Sequence, residues 1–200
     1  AVEALATRMA AVGHQVTVYN RGKNPDFSEN TYHGVSIRSV PVCKKQSIAA
    51  VMGSCLATLH ALFGHYDCIH LHAEGPALMA FLPRLFGIRT VVTIHGLDWQ
   101  RSKWGRFASW YLKTGEKVAA KCADEVIVLS HAAKQYFLDT YQRETNYIPN
   151  GFHPIAQRDA DLITAQWNLR KDDYILYLGR IVPEKGIHHL IHSFHQTKTD

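Results

Sequence analysis

Apolar residues along the chain switch repeatedly between helical and strand spacing. Val2, Leu5, Ala6, Met9 and Val12 recur at helical intervals, and Gly13 follows as a stop. Gln15 to Tyr19 then reads as a strand. In a parallel α/β domain a strand precedes such a helix, so residues upstream of Ala1 are expected. Further strands are predicted at Val35–Val40, Cys68–Leu71, Thr90–Ile94, Glu125–Leu129 and Asn146–Ile148. Several are unbroken runs rich in Val and Ile, as in strands covered on both faces. Helices are predicted at Ile48–Phe63, Pro76–Leu85, about Trp104–Cys122 and Ala132–Tyr141, the last capped by Ser130. The alternation predicts the fold class: α/β, with a Rossmann-like doubly wound parallel sheet.

Pro149-Asn150-Gly151-Phe152-His153-Pro154 interrupts this pattern with turn-forming residues suited to a hinge. Residues 1–152 are therefore expected to form one domain, and 153–200 to open a second Rossmann-like one. A helix-like stretch, Asp159–Trp167, precedes an apolar strand predicted at Tyr174–Leu178. Gly179-Arg180 ends that strand, and Pro183-Glu184-Lys185-Gly186 leads into another helix.

Two hundred residues suffice for one α/β domain and part of another. With 46% hydrophobic and 20% charged residues and no low-complexity tract, the chain reads as a soluble globular protein. The longest apolar stretch, Ile48 to Phe63, is broken by Ser54, Thr58 and His60 and is too short to cross a bilayer. Ala1-Val2-Glu3 offers neither a basic start nor a cleavage site, so no signal peptide is expected. Cys43, Cys55, Cys68 and Cys122 form no C-x-x-C pair; buried free thiols in a reducing cytoplasm are favoured over disulfides or metal.

The charge changes the picture because it is local. Between Arg101 and Lys121 six basic residues meet one acid, Glu116, so this stretch carries the chain's whole net charge of +5. A local patch suits an anionic partner surface, and no nucleic-acid motif accompanies it.

Candidate chemistry sits at two strand ends. Ligands of open parallel sheets bind outside the carboxyl ends of the strands. At Gly179 a substrate can approach the backbone, Arg180 offers a planar fork for phosphate oxygens, and Lys185 adds a point charge near a helix start. Gly-Arg alone is matched by any surface arginine; the neighbouring Pro183-Glu184-Lys185-Gly186 strengthens it. The second site is Thr93-Ile94-His95-Gly96-Leu97-Asp98-Trp99. His95 follows a strand and either faces a cleft or caps the next loop. Asp98 either orients an acceptor hydroxyl or caps the loop.

These motifs together resemble family 4 of the glycosyltransferases, enzymes of the GT-B fold, over nearly the whole chain. Leu5-Ala6 through Gly13-His14-Gln15-Val16-Thr17-Val18 resembles the family's first helix and second strand, and Pro149-Asn150-Gly151 its interdomain turn. Gly179-Arg180 with Glu184-Lys185-Gly186 resembles its donor-diphosphate site. The resemblance implies sugar transfer from a nucleotide diphosphate with retained anomeric configuration, without a cofactor or obligatory metal. It places Arg180 and Lys185 on the pyrophosphate and His95 beside the donor sugar as the catalytic candidate. Asp98, Asn150 and Glu184 become candidates for acceptor or cleft contacts. The string His95-Gly-Leu-Asp-Trp-Gln-Arg-Ser-Lys-Trp-Gly105 resembles a branch containing rhamnosyltransferases of bacterial surface-polysaccharide synthesis, which implies a donor such as dTDP-rhamnose. The family's Gly-rich loop would precede Ala1 and its paired glutamates would follow Asp200, so the chain by itself is expected to be inactive. Alternatives are another GT-B nucleotide-sugar enzyme, such as an epimerase, or a non-catalytic sugar-binding module.

His70-x-His72 and the helical group His188, His192 and His195 have metal-like spacings. The first pair, at a strand end, either lines the cleft or, as favoured, serves packing or loop support; a solvated face suits the second group, and no metal site is expected. On a helix, Trp104, Phe107, Ala108, Tyr111, Val118, Ala119 and Cys122 form an apolar stripe expected to pack on the sheet. Lys103, Arg106, Trp110, Lys113, Lys117 and Lys121 gather opposite, as either a solvated face or a docking surface for an anionic membrane. With lipid-linked or saccharide acceptors implied, the expected location is cytoplasmic, peripheral on the inner face of the cell membrane.

Overall fold

The computed structural model describes residues 2–22, 30–43, 46–101, 103–152, 156, 161–170 and 174–197. The chain divides into two compact units, Ala1–Gly151 and Phe152–Asp200. In chain order the first unit comprises α1 (Val2–Ala11), β1 (Thr17–Arg21), β2 (Thr31–Tyr32), β3 (Val35–Val40), α2 (Gln46–Leu62), β4 (Cys68–His72), α3 (Glu74–Ala77), α4 (Phe81–Leu85), β5 (Arg89–Ile94), α5 (Arg106–Cys122), β6 (Glu125–Val128), α6 (His131–Tyr141) and β7 (Asn146–Tyr147).

The larger sheet has the order β4-β5-β6-β7, with every pairing parallel. Its register sets Leu71 beside Val92 and Val92 beside Val126. Val92, Ile94, Val126, Val128 and Phe137 are all 0–1% exposed and form the core with Ala77, Ala80, Ala119, Ala120 and Ala123. Each large side chain so buried contributes about 1.5–3 kcal/mol, which explains why β5 and β6 are rich in Val and Ile. Ser130 caps α6, its hydroxyl accepting the Ala133 N–H at 3.1 Å. Gln142 closes the same helix in the left-handed conformation, φ 53°.

The smaller sheet has the order β1-β3-β2, with β1–β3 parallel and β2–β3 antiparallel. The short hairpin β2–β3 is not anticipated by the sequence pattern. Its two-residue turn, His33 and Gly34, has φ 45° and 79°, the left-handed pair that hairpin turns require. The helix expected over Pro76–Leu85 is divided instead into α3, a 3₁₀ turn at Leu78–Ala80, and α4. Pro83 supplies no N–H for the carbonyl one turn earlier, which favours the tighter turn there.

None of the four cysteines is fully buried, contrary to expectation, and Cys68 is exposed. No helix among the described residues is long and apolar enough to cross a membrane.

The second unit contains α7 (Asp161–Trp167), a 3₁₀ turn at Pro183–Lys185 and α8 (Ile187–Gln196). Tyr174–Leu178, expected as a strand, joins no ladder among the described residues. A strand needs a hydrogen-bonding neighbour, and no described residue of this unit provides one. Tyr174, Ile175 and Tyr177 of this segment line a pocket together with Leu190, Ile191 and Phe194 of α8.

Candidate active site

Parallel pairing brings the carboxyl ends of β4 and β5 side by side, with His72 opposite Thr93. His95 follows the last residue of β5 and is exposed. His72 Nδ1 lies 3.2 Å from His95 Nε2, and their rings stack at 5.4 Å. His70 stacks on His72 at 4.2 Å, and its Nε2 is 2.8 Å from the Thr93 hydroxyl. Burial lowers the His70 pKa, with His95 adding to the effect. Burial, then the neighbouring imidazoles of His70 and His95, lower His72 to about 4. His72 is therefore neutral at neutral pH and keeps one donor and one acceptor nitrogen. That neutrality lets it orient the exposed His95 ring without adding charge beside it.

The next two residues are unusual. Ala73 has φ 73° and ψ 162°, a conformation nearly confined to glycine. Glu74 is 1% exposed, and its Oε1 accepts the Asp98 N–H at 3.2 Å. The Asp98 carboxylate pairs with Arg101 at 2.9 Å. Trp99 Nε1 donates to Glu116 Oε2 at 3.0 Å, while Lys113 Nζ sits 4.4 Å over the Trp99 ring. Residues 95–101 are thus pinned to β4, α3 and α5.

The parallel topology sets Asn150, just beyond β7, at the same sheet edge as His95, and Asn150 is exposed. Gly179, Arg180, Glu184 and Lys185 belong to the second unit, where all four are exposed. Tyr177 OH donates to the Arg180 carbonyl at 3.0 Å. Gly186, φ 65°, ends the turn holding Lys185 and starts α8. His188, His192 and His195 are exposed, and no cluster of three or more metal-type ligands occurs among the described residues.

Sequence reasoning missed the carboxylates behind the site. Glu116 registers there only as one acid in a basic segment, yet it is fully buried in α5. Its place among Leu112, Gly115, Ala119 and Ala120, all buried, is the signal that could have found it. Glu74, Tyr136 and Tyr141 carry no local signal.

The buried face of α5 also differs from the expected stripe, being turned roughly a quarter turn away at 100° per residue. Trp104 precedes the helix, and Phe107, assigned to the buried side, is 77% exposed. Small residues let α5 approach its neighbours most closely at Gly115, Ala119 and Ala120, and this contact sets the rotation. Lys103, Arg106, Trp110, Lys113, Lys117 and Lys121 are all exposed. Trp110 and the last three lysines, with Thr140 and Gln142, line an open groove of about 580 Å³.

The four-stranded sheet, parallel throughout and flanked by helices, is of the Rossmann-like class, with His95 exposed at its carboxyl edge. Residues 1–154 match the model of Glycosyltransferase Family 4. The chain belongs to that family.

An uncharacterized glycosyltransferase of Bacillus subtilis, YqgM, is 31% identical over 132 residues, covering 64% of this chain and 35% of the relative. The capsular polysaccharide biosynthesis glycosyltransferase CapM of Staphylococcus aureus is 31% identical over 114 residues, 52% of this chain and 30% of CapM. The alpha-D-kanosaminyltransferase of Streptomyces kanamyceticus is 28% identical over 145 residues, 62% of this chain and 36% of that enzyme. The chain spans about a third of the length of these curated relatives.

Proposed function

We propose that the full-length protein is a retaining glycosyltransferase that moves a sugar from a nucleotide diphosphate to a saccharide or lipid-linked acceptor in surface-polysaccharide synthesis. Membership of family 4 supports the class of reaction. The observation that carries the site assignment is the exposed His95 held by a neutral His72 at the sheet's carboxyl edge. His95 serves the reacting sugar, hydrogen-bonding it as positive charge develops. Arg180 and Lys185 hold the diphosphate and stabilise it as leaving group. Its oxygen takes the acceptor's proton as the hydroxyl attacks on the same face. Asp98, Asn150 and Glu184 contribute acceptor or cleft contacts, and no metal is required. The resemblance of residues 95–105 makes dTDP-rhamnose the first donor to test.

The test offers the full-length protein a panel of dTDP-, UDP- and GDP-sugars with and without chelator, reading released nucleotide. One donor should turn over, equally with chelator present. Arg180→Ala and Lys185→Ala should each weaken nucleoside-diphosphate binding by about 1.5–3 kcal/mol in calorimetry. Unchanged affinity in both variants overturns the diphosphate assignment, and chelator-sensitive turnover overturns the metal-independent reading.

A further inference from the structure

Two carboxylates lie behind the loop that carries His95. Glu116, in the middle of α5, receives three donors: Trp99 Nε1 at 3.0 Å, Tyr136 OH at 2.8 Å and Tyr141 OH at 2.5 Å. That shell satisfies an ionised carboxylate. Glu74 is placed differently. Its Oε1 accepts the Asp98 N–H, but its buried Oε2 receives no donor. Glu74 and Glu116 bond to consecutive residues of one loop, Asp98 and Trp99, and Gly115 beside Glu116 meets the Glu74 backbone. Two ionised carboxylates in dry contact repel strongly, whereas one proton between them turns the orphaned oxygen into a donor. Because Glu116 already has its donors, the proton belongs on Glu74.

We propose that Glu74 is a positioning residue: as a neutral carboxyl it donates to Glu116 while its other oxygen holds Asp98, and so it fixes the loop bearing His95. The inference rests on the reading of His95 given above. Every link comes from a different element. Glu74 opens α3, Glu116 lies on α5, and Tyr136 and Tyr141 reach Glu116 from α6. Gly115 lets α5 meet α3 so closely that a Cβ there would strike the Glu74 backbone carbonyl.

The charges facing Glu74 agree with this assignment. Burial, then Glu116 and finally Asp98, push its carboxyl up to about 8. The charge of Asp98 is paired with Arg101. Tyr136 and Tyr141 are themselves raised by burial and by Glu116, so both remain neutral donors. Tyr111 donates to the Gly75 carbonyl and is likewise raised by burial. As pH rises through the Glu74 pKa, a second negative charge appears against Glu116 and Asp98, and the loop loses its anchor.

The Trp99 indole N–H, bonded to Glu116, reports this proton without substrate. In NMR of the full-length protein its resonance should titrate with a midpoint near 8. Glu74→Gln, an amide mimic of the neutral carboxyl, should abolish that titration and leave the His95 imidazole resonances in place. Glu74→Ala should move the His95 resonances. In turnover, Glu74→Gln should keep kcat and remove the alkaline fall. Glu74→Ala should lower kcat by roughly tenfold or more with donor KM little changed, as misplaced catalytic groups do. A flat Trp99 resonance in the wild type, a titration persisting in Glu74→Gln, or Glu74→Gln as impaired as Glu74→Ala overturns the proposal. The resonances decide it even where absent turnover defeats the glycosyl-transfer reading.

Discussion

Ala73 occupies a backbone region that costs roughly 1–3 kcal/mol for a residue with a side chain. Its N–H donates to the Thr93 carbonyl at 2.9 Å, and its own carbonyl accepts from Ala77 at 3.2 Å. Those bonds, with the burial of Glu74 beside it, hold the strained residue between β4 and α3. Neutral His72, strained Ala73 and raised Glu74 are consecutive in the chain, and all three neighbour the turn at His95. The site is therefore pre-set by the fold rather than assembled from flexible side chains. His95 itself is exposed, and its ring meets the protein chiefly through His72. His95→Ala should lower kcat by roughly 10²–10³-fold, the size of a lost transition-state hydrogen bond. Stability should change by no more than about 0.5 kcal/mol, as at other exposed positions. Steady-state kinetics and thermal melts of one preparation check both; a large fall in melting temperature with kcat retained would show a structural histidine. His95 is legible in the sequence because a histidine and glycine directly follow an apolar strand. Ala73 and Glu74 are not, since strain and burial there come from neighbours distant in the chain.

The same contrast holds for whole elements. Elements with a strong local signal, such as β5, β6 and the Ser130-capped α6, lie where the pattern predicts them. Those whose form depends on a neighbour do not. Tyr174–Leu178 has the composition of a strand but no described strand to pair with, and β2 is too short to show a period. For α5 the amphipathic pattern finds the exposed basic side but misplaces the buried side. Large apolar residues weigh most in such a pattern, whereas the closest approach runs through Gly115 and two alanines. Gly115 gives this contact a measurable sign. At an uncrowded helical position, glycine to alanine gains up to about 1 kcal/mol. At Gly115 the new methyl would meet the Glu74 carbonyl and approach the Leu78 nitrogen, both backbone atoms that cannot swing away. Gly115→Ala should therefore destabilise by about 1–3 kcal/mol, the usual cost of overpacking. Urea unfolding of the full-length protein would measure it, and a gain in stability would mean that α3 and α5 are not in close contact.

On the scale of the whole molecule, the net charge and the exposed aromatics coincide on α5 and the turn before it. Phe107 and Trp110 are 77% and 63% exposed, with ring centroids 5.9 Å apart. Around them stand Lys103, Arg106, Lys113, Lys117 and Lys121, all exposed. The one acid of the stretch, Glu116, is buried, so every exposed charged side chain of the stretch is basic. Protruding aromatics ringed by cations suit the interface of an anionic bilayer, where each basic side chain near the surface contributes about 1 kcal/mol. We therefore expect the full-length protein to dock peripherally on an anionic membrane surface. Co-sedimentation with vesicles separates the contributions. Binding should require anionic lipid and weaken as salt shortens the Debye length, about 8 Å at physiological ionic strength. Replacing Lys113, Lys117 and Lys121 by Glu should abolish it. Phe107→Ala with Trp110→Ala should weaken binding while preserving its salt dependence, because the rings contribute burial rather than charge. Equal binding to neutral vesicles, or none to either kind, would leave this face as an ordinary solvated surface.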